Sequence, residues 1–221
     1  MPICTLRSSM NDIVDGLRYL LTERAEVWQL LGQHVTISLI ALLIASLIAL
    51  PLGVLVVRVG WLAGGVMAVL SVLYTIPSLA MLIMLIAVFG LSKTTVIVTL
   101  VIYAQVILVR NIVVGLKSID RSVLEAARGL GMNAWQIWWQ VELPLALPIM
   151  LAGLRIAAMM CIAISSIAAM IGVGGLGQLL FQGITFDRAD MIWAGTISIA
   201  SLALVCYGLL ALVEQRFSPK I

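Results

Sequence analysis

The segment VTISLIALLIASLIALPLGVLVV, Val35 to Val57, carries no charged side chain along its whole length. At about 1.5 Å of rise per residue it crosses the roughly 30 Å hydrocarbon core of a bilayer as one helix. It lies inside a longer uncharged run, Val27 to Val57, and two further runs follow, Val59 to Ser92 and Ile156 to Phe186. Of the 221 residues, 63% are hydrophobic and 10% charged, and the mean hydropathy is +1.19. A soluble domain of this size has no interior large enough to take that much apolar surface, so lipid has to be its solvent. The predicted class is an all-α membrane protein.

Counting helical lengths gives five spans: Val35 to Val57, Trp61 to Phe89 with a kink or break near Pro77, Thr94 to Leu116, Pro144 to Ile171, and Met191 to Val213. Residues 1–34 contain Asp12, Asp15, Glu23 and Glu26, which exclude a signal peptide and suit an amphipathic helix on the membrane surface. Residues 35–216 form the membrane domain, with one substantial polar loop at 117–143, and 217–221 are a short tail. The glycine-rich segment Gly172 to Gly183 is expected to be too flexible for a helix. In the first span Ala41, Ala45, Ala49 and Gly53 recur every four residues and mark a face for close helix packing.

With the N-terminus outside, eight Lys and Arg fall on or near the cytoplasmic side (Arg58, Arg110, Lys117, Arg121, Arg128, Arg155, Arg216, Lys220) against five outside. The positive-inside rule then places the 117–143 loop and the C-terminus in the cytoplasm. A net charge of +3, dispersed along the chain, gives no nucleic-acid groove.

Several chemistries are excluded. Three Cys and one His supply no four-ligand metal site without carboxylates, so no metal is expected; Cys161 and Cys206 read as small buried hydrophobes and His34 as a structural imidazole. Gly172, Gly174 and Gly177 of GVGGLG fit the dinucleotide pattern, but they follow an apolar spanning segment instead of a strand. No phosphate-binding P-loop is present, and no Asp or Glu lies in a span away from its ends, which argues against an ion-coupled carrier. Polar groups inside the spans, Tyr74, Thr75, Ser78, Gln105 and Ser165, are the candidates for lining a pathway.

The 117–143 loop reads as two short helices. Asp120, or Ser122 boxed with Glu125, caps the first, and Gly129 and Gly131 stop it; Asn133 with Gln136 starts the second, which runs until Pro144 begins the fourth span. Trp135, Trp138 and Trp139 suit an interfacial anchor for the second helix. The first, with Glu125, Ala126, Ala127 and Gly131, presents a small exposed knob for a partner.

EAARGLGMNAWQIWWQVELP, Glu125 to Pro144, resembles the EAA signature of ABC importer permeases, with Glu-Ala-Ala, Gly four residues after the last Ala, and a closing Leu143-Pro144 preceded by Val141 in place of Ile. The resemblance extends to LLGQHVTISLIALLIASLIALPLGVL, TIPSLAML, VRNIVVGLKSID, LPLALPIMLAGLRIA and IGVGGLGQLLFQGI, and is similar to the osmoprotectant branch more than to the methionine branch. Gly90-Leu91-Ser92-Lys93 departs from that branch, where a Gly-Ile-Gly-like turn is expected.

The resemblance implies a type I ABC importer permease in a bacterial cytoplasmic (inner) membrane. It would pair with a second permease, identical or not, sit on two cytoplasmic ATPase subunits that bind the ATP, and receive a small solute from an extracytoplasmic binding protein. The chain itself would need no cofactor and have no ATPase site. Glu125, Ala126, Ala127 and Gly131, with Leu143 and Pro144, would form the coupling to the ATPase. Recognition of a quaternary ammonium solute by cation–π contacts would belong to the binding protein. A permease for methionine or another small solute, a channel subunit without an ATPase, and a structural scaffold are the other readings.

Overall fold

The computed structural model describes residues 2–217, with side chains from Asp12 onward. The side chains of Cys4 and Arg7, and residues 218–221 with Lys220, lie outside the described residues. Ten helices account for nearly all of it: α1 Pro2–Thr22, α2 Arg24–Arg58, α3 Leu62–Thr75, α4 Ser78–Phe89, α5 Lys93–Lys117, α6 Arg121–Gly129, α7 Ala134–Ile137, α8 Leu143–Ala168, α9 Gly177–Thr185 and α10 Ala189–Phe217. No strand occurs among the described residues. This is the expected all-α class, because in hydrocarbon a helix satisfies its own peptide groups. Four segments, Arg24–Arg58, Lys93–Lys117, Ala134–Ile171 and Ala189–Phe217, are long and apolar enough to cross a bilayer, and the pair α3 and α4 makes a fifth if counted as one span.

The break falls where Pro77 predicts it. Ile76 (φ −66°, ψ 128°) and Pro77 (φ −57°, ψ 136°) are extended, since the proline ring excludes the helical region at the residue before it. Counting α2 and α5 as one crossing each, one ion pair requires α3 and α4 to cross once together. Arg58, at the far end of α2, binds Glu142 in the loop that follows α5 (Nη2 to Oε2, 2.6 Å), so the end of α2 and the end of α5 share a side. The chain must therefore return across the membrane between them.

The helices form two compact units, and α2, α5, α8 and α10 each contribute to both. The first unit holds Met1–Ala41, Pro77–Leu100 and Met160–Val205; the second holds Leu42–Ile76, Val101–Met159 and Cys206–Ile221. In the second unit small residues set the packing. Ala45 and Ala49 are fully buried, as is Ala41 in the first unit; a Cβ on Gly53 would lie 2.6 Å from Cγ2 of Ile112, and one on Gly115 would lie 3.0 Å from the Ala146 carbonyl. The predicted alanine stripe of α2 is thus a contact face for α5, and glycines of α5 and α8 extend the same principle.

In the first unit Tyr19, Leu30, Leu176, Leu179, Met191 and Ala194 form one apolar cluster. It corrects one expectation. Residues 1–34 are not one surface element: α1 ends at Thr22, and α2 already begins at Arg24. One face of α1 packs on protein, since Gly16 abuts Trp193 and Tyr19 is buried. Its polar face lines an acidic recess of about 730 Å³ with the connector 187–190. Burial, followed by the hydrogen bond to Glu26 (3.0 Å) and its charge, pushes the Tyr19 hydroxyl up to about 12.

The glycine-rich segment is also more ordered than expected. Gly172, Gly174 and Gly175 take positive φ (75°, 90° and 93°) and make the turn, after which QLLFQ continues as α9. The turn is locked onto α2: the Gly175 N–H donates to Oε1 of Gln33 (3.1 Å), and the buried His34 donates from Nε2 to the Ile162 carbonyl (3.1 Å). His34 is structural, as predicted. The short helix forms because the glycines concentrate before Gly177, leaving a run of good helix formers behind them.

Five crossings put residues 185 and 118 on opposite sides of the membrane. In a chain whose native cysteines are replaced, Thr185→Cys and Ser118→Cys should react with an impermeant thiol reagent from opposite faces of sealed vesicles. Labelling of both from one face would mean that the Ala134–Ile171 segment does not cross.

Candidate coupling loop and pathway positions

The loop between α5 and α8 is built by its capping residues. Asp120 is extended and accepts from the Ser122 N–H (2.8 Å), which fixes the start of α6 and holds its carboxyl below the usual range. Of the two caps open to the sequence, the structure uses Asp120. At the other end Gly131 sits at φ 80°, the Met132 N–H reaches the Ala127 carbonyl (3.2 Å) and the Gly131 N–H reaches Arg128 (2.9 Å). This pair of bonds is the Schellman closure, which requires a residue without a Cβ penalty in the left-handed region. Gly129, by contrast, is simply the last helical residue.

The second helix starts on a full capping box. The Gln136 N–H donates to Asn133 Oδ1 (2.9 Å) and the Asn133 N–H to Gln136 Oε1 (2.8 Å). It does not end before the fourth span. A π turn, Trp138–Glu142, joins α7 directly to α8, so one continuous helical segment runs from Ala134 to Ile171. Pro144 has no N–H to give the preceding turn, and the wider turn absorbs the crowding of its ring. Glu142 projects from this turn to Arg58, which ties the loop to the end of α2.

The loop brings the predicted coupling residues together within the second unit. Glu125 and Ala126 are exposed on α6, Ala127 is buried, Gly131 makes the exposed turn, Leu143 is half-buried and Pro144 exposed. Arg121 and Arg128 flank Glu125 around a shallow recess of about 300 Å³ that Leu124 completes. Beyond the turn Leu130 is 82% exposed, and the rings of Trp135 and Trp139 stack edge to face at 5.5 Å. Such a surface offers both charge and bare apolar area to a protein partner.

The pathway candidates divide. Gln105 is buried and donates from Nε2 to the Ala45 carbonyl (3.0 Å), and Ser165 is buried in the first unit. Tyr74 and Thr75 are exposed at the end of α3, where Thr75 bonds back to the Val72 carbonyl (2.7 Å), and Ser78 is half-buried at the start of α4. One charged group escaped the sequence reading. Arg155, counted among the residues near a span end, lies within α8, where Glu214 of α10 neutralises it (3.1 Å) and its guanidinium stands 4.8 Å from the Tyr207 ring. A lone arginine in an apolar helix is the available signal, since a charge at that depth requires a partner.

The model of the binding-protein-dependent transport system inner membrane component matches residues 38–219. The chain belongs to this family. Its curated relatives include a carnitine transport permease protein, OpuCB, of Listeria monocytogenes, 39% identical over 188 residues that cover 85% of this chain and 86% of the relative. The glycine betaine/carnitine/choline transport system permease protein OpuCB of Bacillus subtilis is 35% identical over 92% of this chain and 94% of its own. The osmoprotectant import permease protein OsmW of Salmonella typhimurium is 37% identical over 94% and 99%. Among solved structures, an inward-facing MetNI methionine ABC transporter superposes with a TM-score of 0.80 over 89% of this chain and 98% of the other, at 20% identity, which establishes the shared fold. The chain is therefore a permease component of the inner membrane, with the importer-permease fold expected from its EAA signature.

Gly131→Val forces a β-branched residue to φ 80°, and Asn133→Ala removes a reciprocal cap that contributes about 1 kcal/mol. Each should raise proteolysis within the 117–143 loop of the solubilised protein about fivefold. Gly129→Ala, with open space around its Cβ position, should leave the cleavage rate unchanged or lower it.

Proposed function

We propose that this chain is the permease subunit of an ATP-driven osmoprotectant importer that carries glycine betaine, choline or carnitine. The observation that carries the reading is the likeness, over most of both chains, to permeases named for those solutes. The protein pairs with a second permease subunit, rests on two cytoplasmic ATPase subunits and takes solute from an extracytoplasmic binding protein. The N-terminus lies outside and the C-terminus in the cytoplasm, as the Lys and Arg distribution favours; in the cysteine test above, position 118 is then the one shielded from an external reagent.

In this reading the α6 knob docks on an ATPase subunit. Ala126 permits close approach, Gly131 sets the turn, Glu125 meets the partner, and Leu143-Pro144 hands the movement to the start of α8. ATP-driven closure of the ATPase pair biases a two-state permease toward its outward-open form. Within the second unit Tyr74 and Thr75 face the solute path and Gln105 is a packed polar group; Ser78, half-buried, and Ser165, buried, belong to the first unit.

The substrate is tested by expressing the complete system in a host without betaine importers, at high osmolarity, and measuring labelled uptake. Uptake of betaine, choline or carnitine is expected. Methionine uptake with none of these would assign another substrate, and uptake without the ATPase would make the protein a channel.

Coupling is tested separately. Glu125→Lys changes an exposed side chain, so membrane levels should be unchanged, while uptake and the stimulation of ATPase by loaded binding protein should each fall by about tenfold or more, the range of a typical coupling free energy. Wild-type values for both would remove Glu125 from the docking contact.

A further inference from the structure

The end of α3 is a backbone break inside a long uncharged run, Val59 to Ser92. α3 has 14 residues and so ends about 20 Å from its start, well short of the roughly 30 Å core. Its last carbonyls have no successor turn to bond. Thr75 Oγ1 serves the Val72 carbonyl, and the hydroxyl of Tyr103, on α5, donates to the Ile76 carbonyl. No basic side chain lies in the last turn, so the negative end of the helix dipole is left uncompensated by the helix itself.

Over this end stands Tyr74, 46% exposed, with its ring centroid 5.9 Å from that of Tyr103 and the planes tilted by 57°. Tyr103 is 5% exposed and is held by its bond to Ile76, so it forms a fixed backing for Tyr74. Thr75 beside it is exposed as well. Lipid does not solvate broken backbone; within the hydrocarbon such a segment is tolerated only against protein or water.

Resting on the osmoprotectant reading above, we infer that the broken end of α3 is a transient station in the solute path, where Tyr74 presents its ring face to the quaternary ammonium group of the passing solute. The carbonyl end of α3 adds a diffuse negative potential without a carboxylate. The combination suits a methylated cation, which has no N–H to donate and is attracted by a ring face and by dipoles. It also keeps the contact weak enough for the solute to leave. Tyr103 is a positioning residue, acting through Tyr74 and the Ile76 carbonyl.

The test uses the complete transporter in proteoliposomes with excess binding protein and labelled choline. Tyr74→Phe and Tyr74→Trp keep an aromatic face and should hold uptake within about twofold of wild type, whereas Tyr74→Leu should lower it about tenfold. The concentration of loaded binding protein that gives half-maximal uptake, and its stimulation of ATPase, should not change. Undiminished uptake in Tyr74→Leu, or equal loss in Tyr74→Phe and Tyr74→Leu, overturns the station. As a measurement independent of the leucine variant, Tyr74→Cys in a chain without native cysteines should react, during turnover, with a methanethiosulfonate bearing a trimethylammonium group. No reaction would place position 74 away from the water path and likewise overturn it. Wild-type liposomes separate the two levels: if they carry no methylated ammonium solute, the substrate reading falls and the station with it, while wild-type uptake with an indifferent Tyr74 removes the station alone.

Discussion

In hydrocarbon each unpaired peptide group costs several kcal/mol, and this single constraint organises the molecule. It makes every span a helix, and it requires a named partner wherever a helix is interrupted. The Tyr103 hydroxyl serves the carbonyl exposed by the Pro77 break, the π turn at Trp138–Glu142 carries the helix past Pro144, and Gln33 meets the N–H of the glycine turn. Even the buried amide of Gln105 is spent on a carbonyl of the neighbouring helix, Ala45. Interruptions therefore carry more information about this protein than the regular helices between them.

Charge obeys the same economy. Arg58 and Glu142 bind the end of α2 to the 117–143 loop, and Arg155 of α8 and Glu214 of α10 neutralise one another with Tyr207 against the guanidinium. Outside the spans, Arg188 chelates Asp190 (2.5 Å) and stands over Tyr19, fastening α1 to the start of α10. These pairs act mainly as registers. Arg58–Glu142 fixes which helix ends meet, and Arg155–Glu214 fixes α8 against α10. The knob of α6 remains exposed while its flanks are secured, which suits a surface that transmits motion without folding on contact.

Much of this was legible in the sequence because it depends on local chemistry. Hydropathy over about 20 residues identifies a span, Pro77 identifies a break, and Asn133 with Gln136 identifies a capping box, since each rule involves residues close along the chain. The every-fourth-residue alanines of α2 announced a packing face for the same reason. Less local features were misread. The tail of the first 34 residues already belongs to α2, and α9 forms inside a segment read as flexible.

The sequence by itself thus determined the solvent, the helical class, the spans and the EAA loop, because apolar length, proline and capping residues act through their own neighbours. Tertiary structure decided which helix ends share a side, which of the polar side chains in the spans are closed into packing, and which one, Tyr74, stays open over a broken helix. Those outcomes depend on contacts between residues as far apart as Arg58 and Glu142 or His34 and Ile162, and a side chain's own type does not specify the distant group that will satisfy it.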